Sequence, residues 1–264
     1  MTKILRTSIF KSIIIAFCIV ALTTTGVSAK KGRWGVSFSG IDTSSGAPPR
    51  GNECADYLKQ FDAYYVGSSN EKVIYMTFDA GYENGFTEGM LDTLKKHEVP
   101  AAFFLVGTYI KNNPEIINRM IKEGHIVANH TMNHPDMTAM SDIESFRKEL
   151  AMAEAEYKAV TGLDMPKYYR PPSGDYSESN MKMAQELGYK TIFWSLAYAD
   201  WDNNSQPSKE SAFSKLLPRV HPGAIILLHN TSKTNSLILD ELIVKYKDMG
   251  YTFKNLDDLV IRKG

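Results

Sequence analysis

Cysteine is almost absent. Cys18 and Cys54 are the only two in 264 residues, and Cys18 sits in a leader-like segment, so Cys54 would be the single cysteine of a mature chain. A lone cysteine excludes an internal disulfide framework and leaves stability to core packing. An excess of one charge sign is also lacking, since 30 Lys and Arg meet 30 Asp and Glu. Residues 1–29 contain Lys3, Arg6 and Lys11 and no acid, so leaving them out shifts the balance only to a net of −3. No basic stripe marks a nucleic-acid face, and a neutral or sugar-like partner suits this balance better than a polyanion. Long hydrophobic runs are missing as well. The apolar stretch at residues 13–22 stops well short of the ~20 residues of a membrane-spanning helix. With the positive start before it and Val27-Ser28-Ala29 after it, residues 1–29 read as a secretory signal peptide; an uncleaved anchor is the alternative. Bulky Phe17 ahead of Cys18 argues against lipoprotein cleavage. Internal repeats and low-complexity tracts are absent too.

What is present is ordinary globular material, 43% hydrophobic and 23% charged, enough for one sizeable core and expected to behave as a monomer. Residues 30–70 are rich in Gly, Ser, Pro and Asp and read as an irregular lead-in that wraps the domain, with a loop signal at Gly46-Ala47-Pro48-Pro49-Arg50-Gly51. From residue 71 to 264 the pattern is regular. Apolar or β-branched runs at residues 73–78, 101–106, 126–128, 168–170, 191–194, 224–228 and 251–253 predict strands. Helical patterns at residues 88–97, from Asn113-Pro114 onward, and at residues 143–160, 177–187 and 208–217 alternate with them. A last helix runs through Leu239, Leu242, Ile243 and Tyr246 and closes at Gly250. About seven such alternations predict a parallel α/β architecture with right-handed crossovers. A closed barrel and an open doubly wound sheet fit equally.

Active sites in parallel α/β folds gather at the carboxyl ends of the strands. Those ends carry Asp79, then Asn129-His130 with His134 close by, then Arg170, Asp200 with Trp201, and His229. Such groups are costly beside a buried sheet unless they are used. His130 and His134 are four apart, with Pro135 biasing the second out of a helix; imidazoles so placed can share a first-row divalent ion, although on spacing alone such a pair is more often structural or at the surface. Asp79 reads either as a helix cap or as a general base for an attacking water. His229 reads as a satisfied core histidine or as a general acid. Arg170 and Asp200 read as an ordinary ion pair or as partners that keep Asp79 ionised and His229 protonated. Trp201 is either pocket wall or core.

Five motifs in order resemble the polysaccharide deacetylases, carbohydrate esterase family four, over roughly residues 70–262. They are Thr77-Phe78-Asp79, His130-Thr131-Met132-Asn133-His134, Arg170-Pro171-Pro172-Ser173-Gly174, Asp200-Trp201 and Leu227-Leu228-His229. The resemblance implies a distorted (β/α) barrel, usually of seven strands, with residues 71–264 as the catalytic domain. It makes Asp79 the base, His130 and His134 the ligands of a divalent metal (zinc first, other ions admissible), and Arg170 the residue that orients the base. His229 becomes the acid, Asp200 its tuning partner, and the Ser173 backbone N–H a donor to the oxyanion. Trp201, Pro171, Pro172 and Tyr82 would form the substrate pocket. The longer stretches Thr77-Phe78-Asp79-Ala80-Gly81-Tyr82-Glu83-Asn84-Gly85 and Trp194 to Trp201, with Asn255-Leu256-Asp257-Asp258-Leu259, are similar to the δ-lactam-biosynthetic subgroup. That subgroup implies de-N-acetylation of N-acetylmuramic acid in peptidoglycan on the way to muramic δ-lactam. It would place a secreted or cell-wall-associated enzyme in the cortex of a developing spore.

One position departs from the wider family. A second Asp usually follows the base and ligates the metal, and here Ala80 stands instead, so water or substrate must complete the coordination. Two other readings follow from these residues. One is a deacetylase for N-acetylglucosamine in peptidoglycan or chitooligosaccharides; the other is a glycan-binding protein without catalysis. A zinc peptidase is disfavoured, because no His-Glu-x-x-His helix is present.

Overall fold

The computed structural model describes residues 31–52 and 55–261; the leader at residues 1–29 and Cys54 lie outside the described residues. The main sheet takes its strands in chain order as β1 (Ala63–Tyr64), β2 (Val73–Ala80), β3 (Ala101–Leu105), β4 (Ile126–Asn129), β5 (Tyr168–Tyr169), β6 (Lys190–Ile192), β7 (Ala224–His229) and β8 (Thr252–Phe253). Around it lie α1 (Thr87–Lys96), α2 (Gly107–Asn112), α3 (Pro114–Lys122), α4 (Ile143–Thr161), α5 (Glu178–Glu186), α6 (Lys209–Leu216), α7 (Lys233–Asp248) and α8 (Leu256–Ile261).

Seven strands follow the path β7-β2-β3-β4-β5-β6-β1, with β8 added beside β2, and every pairing is parallel. The sheet curls until its ends meet across an irregular seam. There Leu196 bridges Ile226, with Leu227 N–H donating to Leu196 O at 2.9 Å, and Val66 bridges Ala224. This is the distorted (β/α) barrel that the motif resemblance implies.

Both faces of β2 are buried along its whole length, so its sequence is apolar on both parities, broken only by Thr77 and Asp79. Side chains still alternate in direction. Ile74, Met76, Phe78 and Ala80 pack outward under the helices, with Leu91 and Leu94 of α1 and Ile238 and Leu242 of α7. Val73 and Tyr75 join Phe104, Ala128 and Ile225 in a second cluster inside the barrel. Thr77, on the same parity, donates its hydroxyl to Ile226 O at 2.6 Å. The parity therefore delivers Asp79 to the inner mouth and turns Ala80 away.

Two expectations change. Residues 30–70 are not uniformly irregular, because Ala63–Tyr64 is the seventh barrel strand and Gly32–Arg33 pairs antiparallel with Asp175–Tyr176. Strands of two residues carry no readable periodicity. The short helix α2 was also invisible, since Val106 offers no capping side chain at its start. Among the described residues no helix is long and apolar enough to cross a membrane.

Trp34 and Leu58 from this early segment are buried against Phe193 and Met181, with the Trp34 and Phe193 rings stacked at 4.7 Å. A chain that begins at residue 71 is therefore expected to lose its cooperative thermal transition, because β6 gains an open edge and Phe193 loses its cover. A sharp melt, followed by circular dichroism, within a few degrees of the full chain would contradict this.

Candidate active site

The loops after β2, β4, β5, β6 and β7 meet over the barrel mouth and enclose a cleft of about 510 Å³, with Asp79, His130, His134 and His229 among its lining residues. The carboxylate and three imidazoles, spread over 150 positions, are thus brought together. The remaining lining comes from Ser173, Gly174, Leu227, three tryptophans and Arg33.

Arg170 lies beneath them and is completely buried. Its Nη1 donates to Asp79 Oδ1 at 2.7 Å, Nε to Ile192 O at 2.9 Å and Nη2 to Phe193 O at 3.2 Å. The guanidinium also stacks on the Phe104 ring at 4.1 Å. Burial pushes the Asp79 carboxyl up, but the Arg170 guanidinium and the nearby imidazoles outweigh it and hold the group below the usual carboxylate range. The same arginine orients an imidazole, since its carbonyl accepts from His130 Nδ1 at 2.8 Å. That bond assigns the proton to Nδ1 and leaves the Nε2 lone pair facing the cleft, 3.7 Å from Asp79 Oδ2.

His134 reaches its place through strained backbone. Thr131 has φ of 70° and His134 φ of 56°, and a β-branched residue in the left-handed region is a genuine outlier. The turn is held by side chains. Thr131 N–H donates to Asn129 Oδ1 at 2.8 Å, His134 N–H to Thr131 Oγ1 at 2.9 Å and Asn133 N–H to buried Glu149 at 2.6 Å. The two imidazole rings come to 4.9 Å between centroids, nearly perpendicular. Burial lowers both pKa values, that of His130 to about 4, so each is a neutral nitrogen donor near neutral pH.

These donors fit a first-row divalent cation, with two neutral imidazoles and a carboxylate at one mouth. Among the described residues no three His, Cys, Asp or Glu side chains form a ready metal cluster. Ala80 is buried in the helix-facing cluster and offers no donor, so other ligands fall to water or substrate.

His229 is built the opposite way. Its Nδ1 is 2.8 Å from Asp200 Oδ1, and its N–H donates to Asp200 Oδ2 at 2.8 Å. Asp200, itself fully buried, also accepts from Asn235 Nδ2 at 2.5 Å. Burial pulls the His229 pKa down, but the Asp200 charge and hydrogen bond more than restore it and leave the imidazole above its ordinary value. Nε2–H is then free to donate into the cleft. Asn235 went unnoticed in the sequence because nothing distinguishes an Asn in the first turn of a helix from a surface residue.

Ser173 sits in a tight turn at φ of 56° and lines the cleft. Trp201 is 65% exposed at the rim, whereas Trp34 and Trp194 form the wall, joined by a 2.9 Å bond from Trp34 Nε1 to Trp194 O. Three expected pocket residues fall elsewhere. Pro171 and Pro172 are buried behind the turn they shape, outside the lining, and Tyr82 stands half exposed with its hydroxyl accepting from Asn203. Arg33, Trp34 and Trp194 take their places.

The model of the polysaccharide deacetylase family matches residues 67–192. The chain is 44% identical over 216 residues to the peptidoglycan-N-acetylmuramic acid deacetylase PdaA of Bacillus subtilis, covering 82% of each protein. It is similar to the structure of Bacillus subtilis PdaA, a family 4 carbohydrate esterase, with a TM-score of 0.83 and 41% identity over 89% of this chain and 99% of that one. A CE4 family pseudoenzyme from Bacillus anthracis is similar at a TM-score of 0.69 and 29% identity, over 75% of this chain and 68% of the other.

The buried pair at the floor makes a stability prediction. Replacing Arg170→Met strands the Asp79 carboxylate without its partner and should lower unfolding free energy at neutral pH by about 3–5 kcal/mol in urea titrations. Because Asp79 titrates below its usual range in the fold, the loss should shrink as pH falls through the folded value. An equal loss at neutral and at strongly acid pH would refute the assignment.

Proposed function

The chain belongs to the polysaccharide deacetylase family, and from that premise we propose that it hydrolyses the N-acetyl group of N-acetylmuramic acid in peptidoglycan. The observation that carries this is the cleft itself, which brings together Asp79 paired with Arg170, His229 paired with Asp200, and the imidazoles of His130 and His134. The muramic acid preference is supported by the similarity to PdaA and by the longer sequence stretches around Asp79 and Trp194.

A divalent cation held by His130 and His134, zinc being our first choice, would polarise the acetyl carbonyl and acidify the attacking water. Asp79 takes that water's proton, and Arg170 keeps its carboxylate ionised and aimed. The Ser173 N–H donates to the developing oxyanion; one such donor is worth ~3 kcal/mol of barrier. His229 Nε2 passes its proton to the departing nitrogen, and Asp200 stabilises the imidazolium until then. Acetate and a free amine leave. We also read residues 1–29 as the leader that exports the enzyme to the cell wall, and the spore cortex as its place of action, on the strength of the sequence features given above.

Mass spectrometry of peptide-stripped glycan after incubation should show one acetyl lost from muramic acid, with the loss suppressed by a chelator. Asp79→Asn should reduce acetate release at least about a hundredfold with the fold retained. Loss from glucosamine alone would overturn the muramic reading, and no release from metal-replete enzyme would favour a binding protein.

Asp200→Asn provides a separate check. Removing the anion removes what raises the His229 pKa, so the imidazole should deprotonate at lower pH and the alkaline limb of the kcat profile should move down in pH. An unmoved limb would remove His229 from the acid role.

A further inference from the structure

Arg33 is unusual for a residue near the start of the described chain. Of the residues that line the cleft it alone carries a permanent positive charge. Its side chain is 71% exposed, yet its position is fixed from several sides. Gly32–Arg33 pairs with Asp175–Tyr176, setting Arg33 opposite Asp175. Trp34 N–H donates to Gly174 O at 2.7 Å, and Asn52 Nδ2 donates to Arg33 O at 2.5 Å. Asp175 holds the guanidinium through Nε at 2.7 Å and Nη2 at 3.0 Å. An exposed ion pair of this kind contributes little to stability. What it does is fix the plane of the fork, and the other edge, with Nη1, remains available to a second planar anion.

N-acetylmuramic acid differs from N-acetylglucosamine by a lactyl ether on the carbon next to the one bearing the acetamide. When no peptide amidates it, that ether ends in a carboxylate. A sugar whose acetamide lies between Asp79 and His229 must carry this carboxylate along the cleft wall. Asp79 is already committed to Arg170, and His229 to Asp200. We propose that Arg33 binds the lactyl carboxylate and is the residue by which the cleft distinguishes muramic acid from glucosamine. This rests on the muramic acid reading above and adds the group that enforces it.

The test uses the full chain and peptide-stripped glycan, either native or with its lactyl carboxylates converted to methylamides by a carbodiimide and methylamine. Acetate release gives kcat/KM for wild type, Arg33→Gln and Arg33→Lys on both substrates. Wild type should lose about tenfold to a hundredfold on amidation, the range of one charge-assisted contact. Arg33→Gln should lose a similar factor on the native glycan and be indifferent to amidation, with Arg33→Lys between. If Arg33→Gln loses the same factor on both substrates, Arg33 is only a strap for the early segment and the inference fails. Full activity of Arg33→Gln, or a wild type indifferent to amidation, defeats it too. A wild type inactive on muramic acid in either form overturns the substrate reading itself and this inference with it.

Discussion

The buried contact between Arg170 and Asp79 is the constraint on which the rest of the site depends. Taking two charges out of water costs several kcal/mol per ion unless nearly every remaining hydrogen-bonding position is filled. Here the filling is done by the barrel. Donors of Arg170 reach Asp79 on β2 and the carbonyls of Ile192 and Phe193 at and beyond the end of β6, while its carbonyl takes the His130 proton beyond β4. The side chain thereby ties the ends of β2 and β6 to the end of β5, and the backbone carbonyl of the same residue ties in β4. A slip of one residue in β2 would turn Asp79 toward the helices and leave the guanidinium alone in the core. Register and chemistry are secured by the same contact.

Around that pair the cleft separates two protonation states that water would not separate so cleanly. Asp79 is held below the usual carboxylate range by the Arg170 guanidinium, and His229 is held above its ordinary value by the buried Asp200 carboxylate. Groups whose surroundings drive their pKa values apart are suited to opposite halves of one proton transfer. His130 and His134 complete the contrast, because burial without a close anionic hydrogen-bond partner leaves them neutral. The three imidazoles are thus tuned in two directions: burial lowers His130 and His134, whose partners are a carbonyl and a threonine-braced turn, and a carboxylate raises His229.

Most of this was legible in the sequence, for a physical reason. A polar residue directly after a long apolar strand must lie at the mouth of a parallel barrel, so Asp79, His130, Arg170 and His229 could be placed together without any coordinates. The early segment was not legible. Its strands are two residues long, and its role is set by partners far away in the chain, with Arg33 against Asp175 and Trp34 against Trp194. Local pattern carries no trace of such pairings. The prolines at 171 and 172 misled in the other direction. Their place inside a motif suggested contact with substrate, whereas their rings are buried and shape the turn that presents Ser173. Asn235 shows the same limit, since a buried hydrogen bond to Asp200 cannot be read from an Asn in an amphipathic helix.

Ala80 and Arg33 are best understood together. Ala80 is turned toward the helices, so among the residues lining the cleft Asp79 is the one carboxylate. That single carboxylate is already paired with Arg170, which limits its repulsion toward an incoming anion. Arg33 then adds the one permanent positive charge among the cleft-lining residues. A neutral sugar would gain nothing from either feature, whereas a sugar with a free carboxylate gains from both. The alanine at position 80 leaves the buried pairs of Asp79 with Arg170 and of His229 with Asp200 intact. The pinned arginine at the rim shifts the electrostatics of the cleft toward a charged substrate.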